Sequence, residues 1–255
     1  MTSDSSADSV ALLFKAFHLP SAARLYAELL PKAQKEGWTH PRFLRELLTG
    51  ELQDRQERLT QRLLKAAHLP PGKTMASLDE SCLPAKVRRQ LPSLLEGGFV
   101  NRATNILAFG LPGRGKTHFL AALGHELILR HHRRVLFIPT FKLVSHLLQA
   151  KAEHRLPEAL KKLDRFEVII LDDIGYVQQS REEMEVLFTF LAERYERKSL
   201  MISSNLVFSQ WDKIFKDPMT TMAAIDRLVH HSIILEFDGA ESIRARKAKN
   251  KDPEK

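Results

Sequence analysis

A single cysteine, Cys82, in a chain of 255 residues excludes an internal disulfide. No Cys/His cluster has the spacing of a zinc site. No apolar run reaches the roughly 18 residues needed to cross a bilayer, so no membrane partner is expected. Met1 to Ser9 is rich in Ser and Asp and carries no basic stretch, which sets it apart from a secretory signal. These absences together predict a reducing, cytoplasmic setting. The chain also lacks a strongly basic body. Its net charge is +8, but residues 244–255 alone hold six Lys or Arg against two acids, half of that excess. Charge therefore permits nucleic-acid binding without establishing it.

What is present is an ordinary soluble composition, 44% hydrophobic and 27% charged, with room for one α/β domain and a smaller appendage. Residues 1–9 are expected to be disordered. Residues 10–68 read as an all-helical domain of three helices: Val10 to Phe17, Ser21 to Glu36, and Pro41 to His68. The third has an apolar face of Leu44, Leu47, Leu48, Leu52, Leu59 and Leu63. Turn residues across 69–85, among them Pro70, Pro71 and Gly72, predict a linker. From residue 86 to 243 strands alternate with helices, and 244–255 forms a basic tail. The strands are continuous apolar runs at 104–109, 134–138, 167–171, 200–203 and 233–237. Such runs suit a parallel sheet covered on both faces. Ser180 and Glu183 form a capping box ahead of a helix.

The chemistry starts at Gly110-Leu111-Pro112-Gly113-Arg114-Gly115-Lys116-Thr117, the G-x-x-x-x-G-K-S/T phosphate loop, set between a strand and a helix. Its glycines turn backbone N–H groups inward, Lys116 meets the β- and γ-phosphates, and Thr117 offers a hydroxyl to Mg²⁺. ATP and Mg²⁺ are the expected cofactors. Val168 to Leu171 ends in Asp172 and Asp173, the pattern of a strand carrying acids to the metal nucleotide. Asp172 is expected to hold Mg²⁺ opposite Thr117, and Asp173 to orient or deprotonate the attacking water. Asn205 follows the strand 200–203. If that strand lies between those of the phosphate loop and Asp172, its amide faces the γ-phosphate. Otherwise Ser203-Ser204-Asn205 is only a turn.

These motifs resemble the AAA+ ATPases. More narrowly, the stretches 110–118 (ending in His118), 170–176, 203–205, 224–231 and 241–244 resemble the IstB family. These are the helper ATPases of IS21-type insertion sequences, related to the DnaC helicase loader and the DnaA initiator. The resemblance implies an AAA+ P-loop fold: a five-stranded parallel sheet flanked by helices, preceded by a small helical domain. About 18 residues follow the last strand, too few for a C-terminal helical lid, so none is expected. It also implies that Arg227 is an arginine finger reaching a neighbouring subunit, and that Arg244 is a second sensor. The helices within 141–163 match an insertion that contacts DNA, through Lys142, Lys151, His154, Arg155, Lys161 and Lys162. A solvated charged face accounts for those cations as well. Further implied are a homo-oligomer on double-stranded DNA, a transposase partner, and a role in selecting or remodelling target DNA. Asp173 departs from the Glu that many AAA+ proteins carry, which predicts slow turnover outside the assembly.

Arg55, Arg58, Arg62 and Lys65 fall on one helical stripe, with Glu51–Arg55 and Asp54–Arg58 as i,i+4 pairs of a solvated face. Alternatives stay open. Asp172-Asp173-Ile174-Gly175 fits the D-x-x-G of GTPases, but no N-K-x-D follows. A nucleotide kinase would need an Arg-rich lid. A helicase loader, or a scaffold that uses ATP only to assemble, remains compatible.

Overall fold

The computed structural model describes residues 4–174, 180–206 and 228–238. Its centre is a five-stranded sheet: β1 (Asn105–Phe109), β2 (Val135–Pro139), β3 (Val168–Ile174), β4 (Ser199–Ser204) and β5 (Ser232–Glu236). The spatial order is β2-β3-β4-β1-β5, and every neighbouring pair is parallel. Period-two alternation divides the strands between two cores. Ile106, Ala108, Val168 and Ile170 face one, with Phe119, Leu120, Leu123 and Leu127 of α6 (Lys116–His131). Leu107, Phe109, Ile169 and Leu171 face the other. That side is closed by α7 (Thr140–Ala152), α8 (Leu156–Leu163) and α9 (Arg181–Arg194). A sheet buried on both faces needs apolar residues at successive positions, which is why its strands read as unbroken runs.

Local signals fix several boundaries. The capping box at α9 forms as expected: Glu183 N–H donates to Ser180 Oγ at 3.2 Å, and Ser180 N–H to Glu183 Oε2 at 2.6 Å. At the far end of α9, Arg194 is buried. Its guanidinium donates to the carbonyls of Leu163, Phe166, Glu167 and Ser199. Burial pushes it down to about 10. These bonds tie α8, α9 and the entries to β3 and β4 into one block.

The chain divides into two compact units, Met1–Arg62 and Leu63–Lys255. In the first, α1 (Asp4–Ala16) begins well before the expected Val10, through residues read as a disordered tail. In α2 (Pro20–Lys35), Pro20 sits in the first turn and Leu19 has no side chain able to cap it. Glu51, from α3 (His40–Ala67), does so instead: Oε2 accepts the N–H groups of Ser21 at 2.8 Å and Ala22 at 2.9 Å. Arg58 and Arg55 reach the other oxygen at 3.3 and 3.5 Å. The basic stripe of α3 is therefore partly consumed by a buried carboxylate, and Asp54 pairs with Arg24 rather than Arg58. The leucine face also differs from expectation. Leu47 is buried, whereas Leu44, Leu48 and Leu52 are more than half exposed.

The segment 69–85, expected as a linker, packs into the second unit. Leu78 and Leu83 are buried, and Leu69 and Met75 lie against the core beneath α6. Two short 3₁₀ turns, Met75–Ser77 and Glu80–Cys82, carry it to α4 (Ala85–Leu95) and α5 (Gly98–Asn101). Among the described residues no helix is long and apolar enough to cross a membrane.

Candidate functional site

The phosphate loop leaves β1 at Phe109 and enters α6 at Lys116. Gly110, Gly113 and Gly115 all take positive φ, at 144°, 79° and 91°. Gly110 is the most constrained: a Cβ there would sit 2.9 Å from the Phe237 carbonyl oxygen, so no other residue fits. Gly115 caps α6 in the left-handed region, leaving the first-turn N–H groups of the helix facing the loop.

Lys116 is 5% exposed, and its ammonium is fully engaged. It donates to Gly110 O at 2.6 Å, Leu111 O at 3.0 Å and Asn205 Oδ1 at 2.6 Å. Asn205 then donates through Nδ2 to Asp173 Oδ1 at 2.7 Å. A continuous polar chain thus runs from the phosphate loop across the end of β4 to β3. It exists because β4 lies between β1 and β3, the order on which the reading of Asn205 depended.

Both acids belong to β3 rather than to the turn after it. The pairing with β4 slips between Leu171 and Ile174, and Asp173 adopts φ of 64°. Such a bulge swings one side chain out of strict alternation. It places Asp173 on the wall of the cleft, while Asp172 lies beside it. Ser203 links the two: its hydroxyl donates to Asp172 Oδ1 at 2.7 Å and accepts the Asp173 N–H at 2.8 Å. Thr140 Oγ1 holds the Asp172 carbonyl at 3.0 Å.

The cleft, about 310 Å³, is lined by Pro112 to His118 of the loop and by Asp173, Ser203, Asn205 and Lys73. Thr117 is among them. Gly110 and Leu111 are not, since they supply the carbonyls that hold Lys116. Two contributors went unread in the sequence. Ser203 belongs to a Ser-Ser-Asn stretch that looks like a turn, and only its place in the register slip, between Ile202 opposite Leu171 and Ser204 opposite Ile174, reveals the hydroxyl between two acids. Lys73 lies in the segment taken for a linker. That segment is held at the loop by a 3.0 Å contact between Ser77 Oγ and His118 Nε2, which also lies 3.3 Å from Thr74 O.

Arg227 and Arg244 lie outside the described residues. Of the cations proposed for DNA, Lys142, Lys161 and Lys162 are exposed. Lys151 pairs with Glu185 at 2.8 Å and Arg155 pairs with Glu153.

The oxygen donors suit a hard cation: Thr117 and Asp173 line the cleft, and Asp172, held by the Ser203 hydroxyl, lies next to Asp173 without lining the cleft. Hydroxyl and carboxylate oxygens are the groups Mg²⁺ takes with phosphate oxygens. With the loop, a buried lysine and a polar chain to an acid, the arrangement can bind a nucleoside triphosphate and position water against its terminal phosphate.

Comparison with known proteins agrees. The profile of the family described as IstB-like ATP binding protein matches residues 12–251. The chain is 41% identical over 238 residues to a protein of Sinorhizobium fredii named as an insertion sequence ATP-binding protein, covering 93% of this chain and 79% of that one. It is 39% identical over 216 residues to one of Pseudomonas aeruginosa named as an IS21 ATP-binding protein, covering 85% and 81%. Among solved structures, the DnaC helicase loader aligns with a TM-score of 0.51 at 17% identity, over 69% of this chain and 98% of that one. AMPPCP-bound DnaA from Aquifex aeolicus aligns at 0.55 and 18%, over 72% and 56%. At such identities these two speak for the fold alone.

Proposed function

The chain belongs to the IstB-like ATP-binding proteins and has the AAA+ fold, and from that premise we propose that it is a Mg²⁺-dependent ATPase of DNA transposition. It assembles on double-stranded DNA, selects or remodels the target, and recruits the transposase. The observation that carries the catalytic part is the chain Lys116–Asn205–Asp173.

Each residue has a task in ATP hydrolysis. The loop N–H groups and the α6 N-terminus receive phosphate oxygens. Lys116 exchanges neutral carbonyl partners for phosphate oxygens, gaining charge–charge attraction in a shielded cleft. Thr117 and Asp172 hold Mg²⁺, which offsets phosphate charge when bound. Ser203 keeps the Asp172 carboxylate oriented. Asn205 faces the γ-phosphate and, through Asp173, senses whether that phosphate is present. The Asp173 carboxylate accepts a proton from the water attacking phosphorus, releasing ADP and phosphate. Arg227 of a neighbouring subunit steadies the charge that develops on the transferred group, a contribution of the order of 10³ in rate. His118 and Lys73 border the nucleotide from the loop and from segment 69–85, and Arg244 completes the site as a second sensor. Lys142, Lys161 and Lys162, exposed on α7 and α8, meet the DNA backbone, with Lys151 and Arg155 joining once released from their acids.

The test is to titrate duplex DNA into the protein with ATP and Mg²⁺ while following particle size and phosphate release. Large assemblies with DNA-stimulated turnover are expected. Persisting monomers with turnover indifferent to DNA would overturn the reading, and preference for single strands would redirect it to helicase loading.

A further inference from the structure

We propose a transition-metal site, suited to one Zn²⁺ ion, formed by Glu196, His230 and His231. It lies at the end of the sheet opposite the phosphate loop. All five strands run parallel, so the residues before β4 and before β5 gather at that end, on either side of the start of β1. Glu196 comes from the turn before β4 and the two histidines from the turn of helix before β5.

One buried side chain fixes both backbones. Asn105, at the start of β1, accepts the Leu200 N–H on Oδ1 at 2.9 Å and donates through Nδ2 to Leu228 O at 3.4 Å. Its own N–H donates to His231 O at 2.7 Å. Leu228, 3% exposed, anchors the helical turn from below. The Glu196 side follows α9 through hydrogen bonds from the N–H groups of Arg197 and Lys198 to Arg194 O, both 3.0 Å. The three ligands are thus presented by ordered backbone.

Their side chains already converge. One ligand atom from each lies within 4.8 Å of the other two. His231 Nε2 is 3.0 Å from Glu196 Oε1, and the two imidazoles sit edge to face with centroids 4.6 Å apart. Tetrahedral Zn²⁺ bonded at about 2.0–2.1 Å holds its ligand atoms roughly 3.3 Å from one another. Closing the set therefore needs small side-chain rotations and no backbone change. Two imidazole nitrogens with one carboxylate oxygen favour a borderline ion over Mg²⁺, whose ligands are oxygens. All three residues are exposed, which leaves a fourth position for water or an outside ligand. A bound ion would join the turn after α9 to the segment immediately following Arg227.

The site stands apart from the nucleotide cleft, so its test needs no nucleotide. Zn²⁺ alone is titrated calorimetrically into untagged, chelator-treated protein without ATP. One tight equivalent is expected for the wild type. His230→Ala, His231→Ala and Glu196→Gln should each weaken it by at least about tenfold. His40→Ala, an exposed histidine elsewhere, should leave it intact. Co²⁺ should give the visible absorption of a four-coordinate ion with wild type and lose it with His230→Ala. The proposal is overturned if the wild type binds Zn²⁺ no more tightly than the His230→Ala/His231→Ala double variant, or if His40→Ala weakens binding as much.

Discussion

The two units solve the same problem with opposite means. Leu63–Lys255 buries a sheet on both faces, with two apolar cores that leave its polar residues free for chemistry at one end. Met1–Arg62 buries only Ala22, Ala33 and Leu47 among its described apolar side chains, and its helices are joined by a buried carboxylate, Glu51. An aromatic row, Phe14–Tyr26–Phe43, adds contacts at 5.8 and 5.9 Å. Meanwhile Leu12, Leu13, Phe17, Leu44, Leu48 and Leu52 stay exposed. A small helical unit cannot bury enough surface to rely on apolar packing alone. It becomes sensitive to single polar groups, while the larger unit tolerates a strained, charged cleft at its edge.

Substitutions can break this contrast, beginning where the effect is greatest. Lys116→Ala should abolish detectable turnover, a loss of about 10³-fold or more, measured by phosphate release. The circular dichroism of both units should be unchanged. Asp173→Asn should lower turnover by about 10²–10³-fold while ATP affinity, read by fluorescent-nucleotide titration, is retained. Glu51→Ala leaves two helix N–H groups unpaired and takes one partner each from Arg55 and Arg58, which keep His18 O and Ser21 Oγ. It should destabilise the first unit by about 3 kcal/mol, seen as lost amide protection at Ser21 and Ala22 with normal ATP affinity. A uniform loss of protection across both units would erase the distinction. Ser203→Ala removes the bridge between Asp172 and Asp173 and should cost about 1 kcal/mol in the barrier, a several-fold drop in turnover. Leu48→Ser, on the exposed stripe, should change stability by less than about 0.5 kcal/mol in thermal melts of dilute protein. A larger loss would mean that the stripe is covered.

The larger unit was the more legible in sequence, and for the same reason. Strands such as Val168 to Leu171, enclosed on both faces, leave an apolar run that no other environment explains, and the phosphate loop has a fixed length. The bulge at Asp173 was not legible, because nothing local distinguishes Leu-Asp-Asp-Ile ending a strand from the same residues slipping register within it. Segment 69–85 misled because Pro70, Pro71 and Gly72 report the local turn, whereas Leu78 and Leu83 are buried by residues far along the chain. In α3 the leucine spacing was real, but a three-helix unit lacks neighbours enough to cover a wide stripe. Glu196 and His231 are brought together by the parallel sheet, which no motif spanning adjacent residues encodes.

The posture of Lys116 has a last consequence. Its three protons already rest on oxygens, so an arriving anion meets a cation with no vacancy and must displace partners to be held. Monovalent or weakly coordinating anions lack the charge density to win that exchange, whereas a polyphosphate brings several oxygens at once. The lysine therefore sets a threshold as well as an attraction. Release of Asn205 then becomes the first mechanical sign, inside the protein, that the right guest has arrived.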